Sequence, residues 1–300
     1  MEMIRVKNAV KTFDGNRALD GLDLHVEKGS IYGLVGTNGA GKTTVIRNIM
    51  GIQRPDEGEI TVGGLNVYDS FSPKNTIGYV SDDLFFYPGY SMKQTAIFLE
   101  GIYPNFSMER FSEMAGRFEL NEGAKLRSFS KGMKKQAAFI LAMSQMPEVL
   151  VLDEPIDGLD PVVRLLVWKY IITDVAEREM TVLVSSHNLR EMEGYCDHIG
   201  IISRGRMLLE RDLEDMKSDV HKVQVAFPED ENCSFLDELD VIHSEQRGSV
   251  RLLIIRESAG NIEKTVRKHN PKVFDILPLS LEEIFIYEAG GAEHEIRNIL

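Results

Sequence analysis

The residues GTNGAGKT at 36–43 have the composition of a loop that binds phosphate. Gly36, Gly39 and Gly41 let the backbone curl so that successive N–H groups face phosphate oxygens. The apolar run before the loop and the helical pattern KTTVIRNIM after it predict a strand–loop–helix unit. The helix N-terminus would add about half a positive charge at the same place. The pattern indicates nucleotide binding, whereas a simple turn with a solvated lysine is the alternative.

Side chains at the end of this loop have separate expected tasks. Lys42 is expected to reach the β- and γ-phosphates, Thr43 to place its hydroxyl on Mg²⁺, and Thr44 to contact a phosphate oxygen. The predicted nucleotide-binding residues of the loop are Gly36, Thr37, Asn38, Gly39, Ala40, Gly41, Lys42, Thr43 and Thr44.

A second candidate feature is the apolar run VLVLDEP at 149–155, which ends in two adjacent carboxylates. Successive strand residues face opposite sides, so Asp153 and Glu154 cannot do the same task. Asp153 is expected to hold Mg²⁺ through a water molecule, and Glu154 to orient or deprotonate an attacking water. The alternative is a strand that merely ends in acidic residues at the water boundary.

The elements that must position these residues are short apolar runs with helical patterns between them. The predicted buried strands are IYGLVG at 31–36, VLVLDE at 149–154, TVLVSS at 181–186 and HIGIIS at 198–203. Strands that alternate with helices favour a parallel sheet covered on both faces. Functional residues are then expected at the carboxyl ends of the strands.

Two further segments differ from this pattern. The aromatic-rich residues 85–118 look helical, and we predict a helical insertion over about 85–145. Strand and helix patterns over about 216–290 predict a small α+β domain. The predicted domains are therefore 1–215 and 216–300.

Composition limits the possible functions. The chain has 300 residues, a net charge of −13 and 43% hydrophobic residues, which predicts a globular protein that does not act mainly on nucleic acid. Cys196 and Cys233 lie far apart and predict neither a disulfide framework nor a zinc site. No signal peptide or membrane-spanning stretch is expected, so work at a membrane would require another chain to span it.

The motifs together resemble the ATP-binding subunits of ABC transporters, over about residues 1–210. Besides the phosphate loop and the acidic strand, the chain contains SFSKGMKKQ at 128–136, which is similar to the family signature. It also contains IDGLD at 156–160, which is similar to the D-loop. SSHNL at 185–189 resembles the family's switch segment. The resemblance implies an α/β P-loop NTPase with a mostly parallel sheet, a helical insertion and a small α+β C-terminal domain.

The resemblance also implies residue roles. His187 would contact the γ-phosphate, and Phe13 would stack on adenine, although a capping or core role for His187 and plain packing for Phe13 stay open. Ser130 and Gly132 would close over ATP held by a second subunit, where a serine at a helix N-terminus forms an anion site. Asp160 would lie in the D-loop at the dimer interface.

Two positions depart from the family pattern. Lys131 and Met133 replace a glycine and a glutamine of the signature, while Ser130 and Gly132 remain. Asp82 stands where the family usually has a glutamine that links Mg²⁺ to the insertion. Aspartate can still ligate Mg²⁺ through oxygen, so Asp82 is expected to be a metal ligand beside Thr43 and Asp153, with Asp83 as the alternative.

The expected function is that of an ATPase subunit with ATP and Mg²⁺ as cofactors. It would form a homodimer or heterodimer of ATPase subunits that closes on ATP and reopens after hydrolysis. A separate integral membrane permease would hold it at the inner face of the cell membrane, on the cytoplasmic side. LPLSLEEIFIYEAGG at 277–291 is similar to the end of many bacterial exporter ATPases and favours export. The alternatives are a soluble ABC-type ATPase acting in DNA repair or on the ribosome, and a regulatory module not coupled to transport.

Overall fold

The computed structural model describes residues 1–70, 73–227, 236 and 238–288. Its strands are β1 (Glu2–Phe13), β2 (Asn16–Glu27), β3 (Ile31–Val35), β4 (Glu57–Val62), β5 (Leu65–Asn66), β6 (Ile77–Val80), β7 (Val149–Asp153), β8 (Thr181–Ser186), β9 (His198–Ser203), β10 (Arg206–Asp212), β11 (Val220–Ala226), β12 (Val241–Arg247), β13 (Val250–Arg256) and β14 (Val273–Leu277). Its helices are α1 (Lys42–Ile49), α2 (Met92–Glu100), α3 (Met108–Arg117), α4 (Lys131–Ser144), α5 (Pro161–Arg178), α6 (Leu213–Asp219), α7 (Ala259–Arg267) and α8 (Leu281–Glu288).

The described chain forms two compact units. The first contains Met1–His187 and Tyr195–Glu210, and the second contains the described residues of Asn188–Gly194 and Arg211–Leu300. No helix in the described part of the chain is both long enough and apolar enough to cross a membrane.

A six-stranded sheet in the order β10-β9-β3-β8-β7-β6 forms the centre of the first unit. β3 pairs in parallel with β8 and β9, and β7 pairs in parallel with β6 and β8. Every residue of β3, β7 and β8 is buried, as expected for strands covered on both faces. The predicted parallel sheet is confirmed.

A second sheet, in the order β2-β1-β4-β5, is antiparallel and was not predicted from the sequence. Its strands alternate: Ile4 and Val6 of β1 are buried, while Arg5 and Lys7 are exposed. Such alternation is typical of a sheet with one face in the core and one in water. The buried face shares one hydrophobic core with α1 and the parallel sheet.

The insertion contains α2, α3 and α4, and serine side chains cap each of these helices. Ser91 forms a capping box with Gln94, and the Ser107 hydroxyl accepts a hydrogen bond from the Arg110 N–H. Aromatic rings in this region divide between core and surface: Phe111 and Phe118 are buried, whereas Phe85 is 79% exposed.

A buried ion-pair network joins α3 to α5. The Asp174 carboxylate is buried and accepts hydrogen bonds from Arg110 Nη2 at 2.7 Å and from Arg178 Nη2 at 2.6 Å. Since Asp174 has a guanidinium on each carboxylate oxygen, its buried charge is compensated from both helices.

The second unit is built on an antiparallel sheet in the order β12-β13-β11-β14. Its core includes Val223 and Leu253 on the sheet and Ile262 and Val266 on α7. The predicted small α+β fold is therefore present. Cys233 and the last residues of the 277–291 segment lie outside the described residues.

Candidate nucleotide-binding and catalytic site

The phosphate loop leaves β3 and ends where α1 begins, and two of its glycines are required by packing. A Cβ at Gly36 would lie 2.4 Å from the Ile202 carbonyl oxygen, and one at Gly41 would lie 2.7 Å from that of Ala18. Gly39 differs, because its φ is +82° and nothing lies within 4 Å of the position that a Cβ would take. The loop is therefore tightly seated at both ends and open at Gly39.

The backbone of the loop is fixed by hydrogen bonds to neighbouring segments. The Gly36 N–H donates to the Ser186 carbonyl at 3.3 Å, and the Gly205 N–H donates to the Ala40 carbonyl at 2.8 Å. Gly41 precedes α1 at φ +113° and has no side chain to cap the N–H groups of the first turn. Those groups are the usual place for an anion at a helix N-terminus.

The remaining side chains of the loop lie between core and surface. Asn38 is exposed, whereas Thr37, Thr43 and Thr44 are half-buried and Ala40 is buried. The two threonines of the first turn of α1 are therefore partly accessible from the surface.

Lys42 is buried, with 5% of its surface exposed. Its Nζ donates hydrogen bonds to the Gly36 carbonyl at 2.5 Å and the Thr37 carbonyl at 3.3 Å. The same Nζ lies 3.2 Å from Glu154 Oε1. The ammonium is therefore held inside the curl of the loop and paired with the candidate catalytic carboxylate.

Asp153 is fully buried at the end of β7. The Ser185 hydroxyl donates to Asp153 Oδ1 at 2.7 Å, and Asp153 Oδ2 has no hydrogen-bond partner among the described residues. Burial raises the pKa of Asp153, the Ser185 and Thr43 hydroxyls oppose this shift, and the negative charges of Glu154 and Asp82 add to it.

The donor set at this carboxylate fits Mg²⁺. A buried carboxylate oxygen without a partner is costly unless a cation or a donor reaches it. Magnesium commonly takes one or two protein carboxylates together with substrate phosphates. In the described part of the chain no group of three or more His, Cys, Asp or Glu side chains could hold a metal by itself, so phosphate oxygens would have to complete the shell.

Glu154 is the centre of the cluster and has an unusual backbone conformation. Its φ is +49°, in the left-handed region that costs a non-glycine residue energy. Its N–H donates to Ser185 Oγ at 3.1 Å, and its Oε2 lies 2.9 Å from His187 Nδ1. The side chains of Lys42 and His187 thus contact different oxygens of one carboxylate.

Two residues of this site were missed in the sequence analysis. Ser185 lies opposite Asp153 in the β7–β8 register and bonds to both Asp153 and Glu154, so strand pairing was the signal that could have identified it. Lys135 on α4 is buried, and its Nζ donates to the Glu154 carbonyl at 2.7 Å and lies 3.2 Å from Asp82 Oδ1. Asp82, expected as a metal ligand, forms an ion pair here, and its metal role stays a prediction.

The other predicted residues lie outside this cluster. Ser130 caps α4 by accepting a hydrogen bond from the Met133 N–H, and Asp160 caps α5. A Cβ at Gly132 would lie 3.4 Å from the Gly158 carbonyl oxygen, so the signature segment adjoins the IDGLD segment within one chain. Phe13 is exposed at the end of β1, with Lys11 Nζ 5.6 Å from its ring centroid.

Comparison with known proteins decides the family. Residues 19–157 match the family model described as ABC transporter. The chain is 36% identical over 289 residues to the ABC transporter ATP-binding protein YtrB of Bacillus subtilis (strain 168), and the match covers 96% of this chain and 99% of that protein. The chain belongs to the ABC transporter ATP-binding proteins.

Other ABC transporter proteins show the same relationship. The Bacitracin transport ATP-binding protein BcrA of Bacillus licheniformis is 30% identical over 301 residues, covering 96% of this chain and 98% of that protein. A solved ATP-binding subunit of an ABC transporter is 25% identical, with a TM-score of 0.65, and the match covers 72% of this chain and 92% of that one. A dimeric ATP-binding cassette in a post-hydrolysis state with ADP and Pi has a TM-score of 0.63 at 22% identity, over 70% of this chain and 99% of that one. The predicted P-loop ABC ATPase fold is confirmed.

Proposed function

We propose that this chain binds ATP with Mg²⁺, hydrolyses ATP in a head-to-tail dimer and powers a separate membrane permease that exports its substrate. The observation that carries the proposal is the Lys42–Glu154–His187 cluster beside the buried Asp153. Phosphate loop, carboxylates and histidine come from three separate sequence segments, and the parallel sheet brings them to one edge.

The residues would divide the chemistry of phosphoryl transfer. Backbone N–H groups of the loop and Lys42 would bind the phosphates, and Thr43 with Asp153 would hold Mg²⁺. Bound Mg²⁺ would supply charge neutralisation on the phosphate oxygens. Glu154 would orient or deprotonate the attacking water, and His187 would contact the γ-phosphate while its Nδ1 keeps the Glu154 carboxylate in place.

The dimer would complete each site. Ser130 and Gly132 at the start of α4 would face ATP held by the second subunit, and Asp160 would lie at the interface. Gly132 adjoins Gly158 within the chain, so the signature and D-loop segments would move as one surface. The dimeric cassette that shares this fold supports such an arrangement.

An aromatic groove on the first unit supports the proposal that a permease binds this chain. The groove has a volume of about 550 Å³, and residues of the 83–87 segment, α2 and α4 line it. Phe85, Tyr87 and Phe98 are exposed at or beside it, and Tyr87 packs against both other rings. Exposed apolar patches of this kind mark protein contacts, here with a permease helix at the cytoplasmic face of the membrane.

Export is favoured by the names of two relatives. BcrA is named for bacitracin transport, and the linearmycin resistance ATP-binding protein LnrL of Bacillus subtilis (strain 168) is 34% identical over 212 residues. Resistance to a compound is most simply achieved by moving it out of the cell. An antibiotic-like or lipid-like substrate is the corresponding proposal for this chain.

The substitution Glu154→Gln tests the proposal. The amide keeps the size and the hydrogen-bonding oxygen but removes the base, so ATP should still bind, turnover should fall at least about a hundredfold, and an ATP-bound dimer should accumulate. ATP hydrolysis, nucleotide affinity and dimer size by gel filtration would be measured. Glu148→Gln, an exposed residue next to the same strand, is the control. A Glu154→Gln protein that hydrolyses ATP at the wild-type rate would overturn the proposal.

A further inference from the structure

Lys135 occupies a position where a lysine is unexpected. Its side chain is 2% exposed and lies on a helix most of whose other buried positions, such as Phe139 and Ala142, are apolar. Buried ammonium groups persist when specific partners compensate them. Here the partners are the Glu154 carbonyl oxygen at 2.7 Å and Asp82 Oδ1 at 3.2 Å.

The contact with the Glu154 carbonyl acts on a strained residue. A glutamate at φ +49° stays in that conformation only when its surroundings enforce it. The Ser185 hydroxyl holds the N–H side of Glu154 at 3.1 Å, and the Lys135 ammonium holds the carbonyl side. A hydrogen bond from a charged donor is the stronger type, so Lys135 provides a firm anchor for this backbone.

The contact with Asp82 places Lys135 next to the segment that lines the aromatic groove. Ser81 and Asp83, the chain neighbours of Asp82, both line the aromatic groove, as do the next residues Leu84 and Phe85. Any displacement of this segment therefore changes the position of the Asp82 carboxylate. Because the Asp82 carboxylate and the Glu154 carbonyl contact the same ammonium, a single side chain connects this segment to the Glu154 backbone.

We propose that Lys135 is a positioning residue for ATP hydrolysis, which fixes the Glu154 backbone and connects it through Asp82 to the edge of the aromatic groove. The inference rests on the proposed ATPase function. It assigns the connection between groove and site to an ion pair formed by this chain's own residues.

The substitution Lys135→Met tests the role of the ammonium. Methionine has a similar length and suits a buried helix position, so the fold should be retained, while the charge and the hydrogen bond to Glu154 are lost. We expect kcat for ATP hydrolysis to fall at least about tenfold, the loss of one charge-assisted hydrogen bond, with ATP affinity unchanged within about twofold. Lys134→Met, at the neighbouring half-buried position of the same helix, is the matched control and should keep both values.

A measurement without turnover separates positioning from general damage. In protein without nucleotide, amide hydrogen exchange over residues 154–158 should be faster in Lys135→Met and unchanged in Lys134→Met, while exchange in the remaining strands of the parallel sheet stays the same. Unchanged exchange at 154–158 together with unchanged kcat would overturn the proposal. A uniform increase over the whole unit would also overturn it, because that result shows only a structural role.

Asp82→Asn provides a second, independent variant, since Asp82 is exposed and outside the core. We expect a smaller fall in kcat, about threefold, and faster exchange at 154–158.

In the double variant the effects should not add, because Asp82 acts through Lys135. Additive losses, or a raised Mg²⁺ requirement that persists in the Lys135→Met background, would show that Asp82 acts directly on the metal and would overturn the connection. If Lys135→Met does not fold, absence of both effects in Asp82→Asn overturns it.

The two proposals fail in different ways. A wild-type chain without ATPase activity, or an active Glu154→Gln variant, contradicts the proposed function. If the wild type is active, Glu154→Gln is inactive and Lys135→Met is fully active, only the role of Lys135 is contradicted.

Discussion

The ammonium of Lys42 lies 3.2 Å from Glu154 Oε1, so the cation of the phosphate loop and the candidate base are ion-paired. Both side chains are largely buried, which strengthens their attraction. A triphosphate would compete with Glu154 for the same ammonium. Binding of substrate phosphates would therefore release the Glu154 carboxylate towards water, and the substrate itself would uncover the base.

Replacing Lys42 by alanine should weaken nucleotide binding itself. The substitution removes a buried cation from the phosphate site, and a charge-assisted contact of this kind contributes about 1.5–3 kcal/mol, or about tenfold to a hundredfold in affinity. Equilibrium binding of a fluorescent ATP analogue measures the change. Lys28→Ala removes an exposed lysine that pairs with Glu179 and should leave affinity unchanged. Equal affinities for wild type and Lys42→Ala would contradict the assignment of the loop.

Replacing Asp153 by asparagine should change stability in a pH-dependent way. Burial raises the pKa of Asp153 above its ordinary value of 3.8, so the folded protein binds this proton more tightly than the unfolded chain does. The ionised carboxylate therefore costs stability above the raised pKa, and this cost disappears as the pH falls through it towards 3.8. Asp153→Asn should melt at a higher temperature than wild type at pH 7.5, with a smaller difference at low pH.

The single tryptophan, Trp168, lies buried in the first unit and reports this unfolding by fluorescence. Asp69→Asn, at an exposed position, controls for a general change in charge. Mg²⁺ with ATP should raise the melting temperature of the wild type more than that of Asp153→Asn. A difference between wild type and Asp153→Asn that stays constant with pH would count against the buried, ionised carboxylate.

Replacing Phe13 by alanine should weaken ATP binding without affecting the phosphate site. Stacking of a base on an aromatic ring contributes about 1–3 kcal/mol, so ATP affinity should fall about fivefold to a hundredfold. Inorganic triphosphate has no base, and its competition with the fluorescent analogue should be the same in both proteins. Phe13→Tyr keeps the ring and should retain affinity. A parallel loss for ATP and triphosphate would remove Phe13 from its stacking role.

Replacing Phe85 by alanine should separate ATP hydrolysis from its permease. The side chain is 79% exposed, so its removal should leave the fold and basal hydrolysis intact. The membrane protein that co-purifies with the wild-type chain should no longer stimulate hydrolysis in vesicles. Leu65→Ala, an exposed apolar residue on β5, is the control. Stimulation that survives Phe85→Ala, or basal activity lost along with it, would argue against the groove as the docking site.

The parallel sheet could be predicted because β3, β7 and β8 are continuous apolar runs, and burial on both faces requires such runs. The antiparallel sheet escaped prediction because charged and polar residues interrupt the apolar residues of β1 and β2. In such strands the signal is the alternation of apolar and polar residues, and a search for continuous apolar runs does not detect it.

The site was predictable where residue type determines chemistry and was missed where three-dimensional neighbours determine it. Lys42, Asp153 and Glu154 belong to motifs with a mechanism, and the structure brings them together. Ser185 and Lys135 have no motif of their own. In the run KKQ at 134–136 a lysine looks like part of a solvated face, although Lys135 shares the buried face of α4 with Phe139.

The two ion pairs of Asp174 affect how α3 of the insertion could rotate relative to α5. A rotation of α3 away from α5 would pull Arg110 off the carboxylate, yet Arg178, on the same helix as Asp174, would stay with it. A buried carboxylate that loses all of its ion-pair partners is strongly destabilising, whereas Asp174 would still have one of its two partners. Separating α3 from α5 therefore costs the Arg110 contact, but Asp174 would keep its ion pair with Arg178.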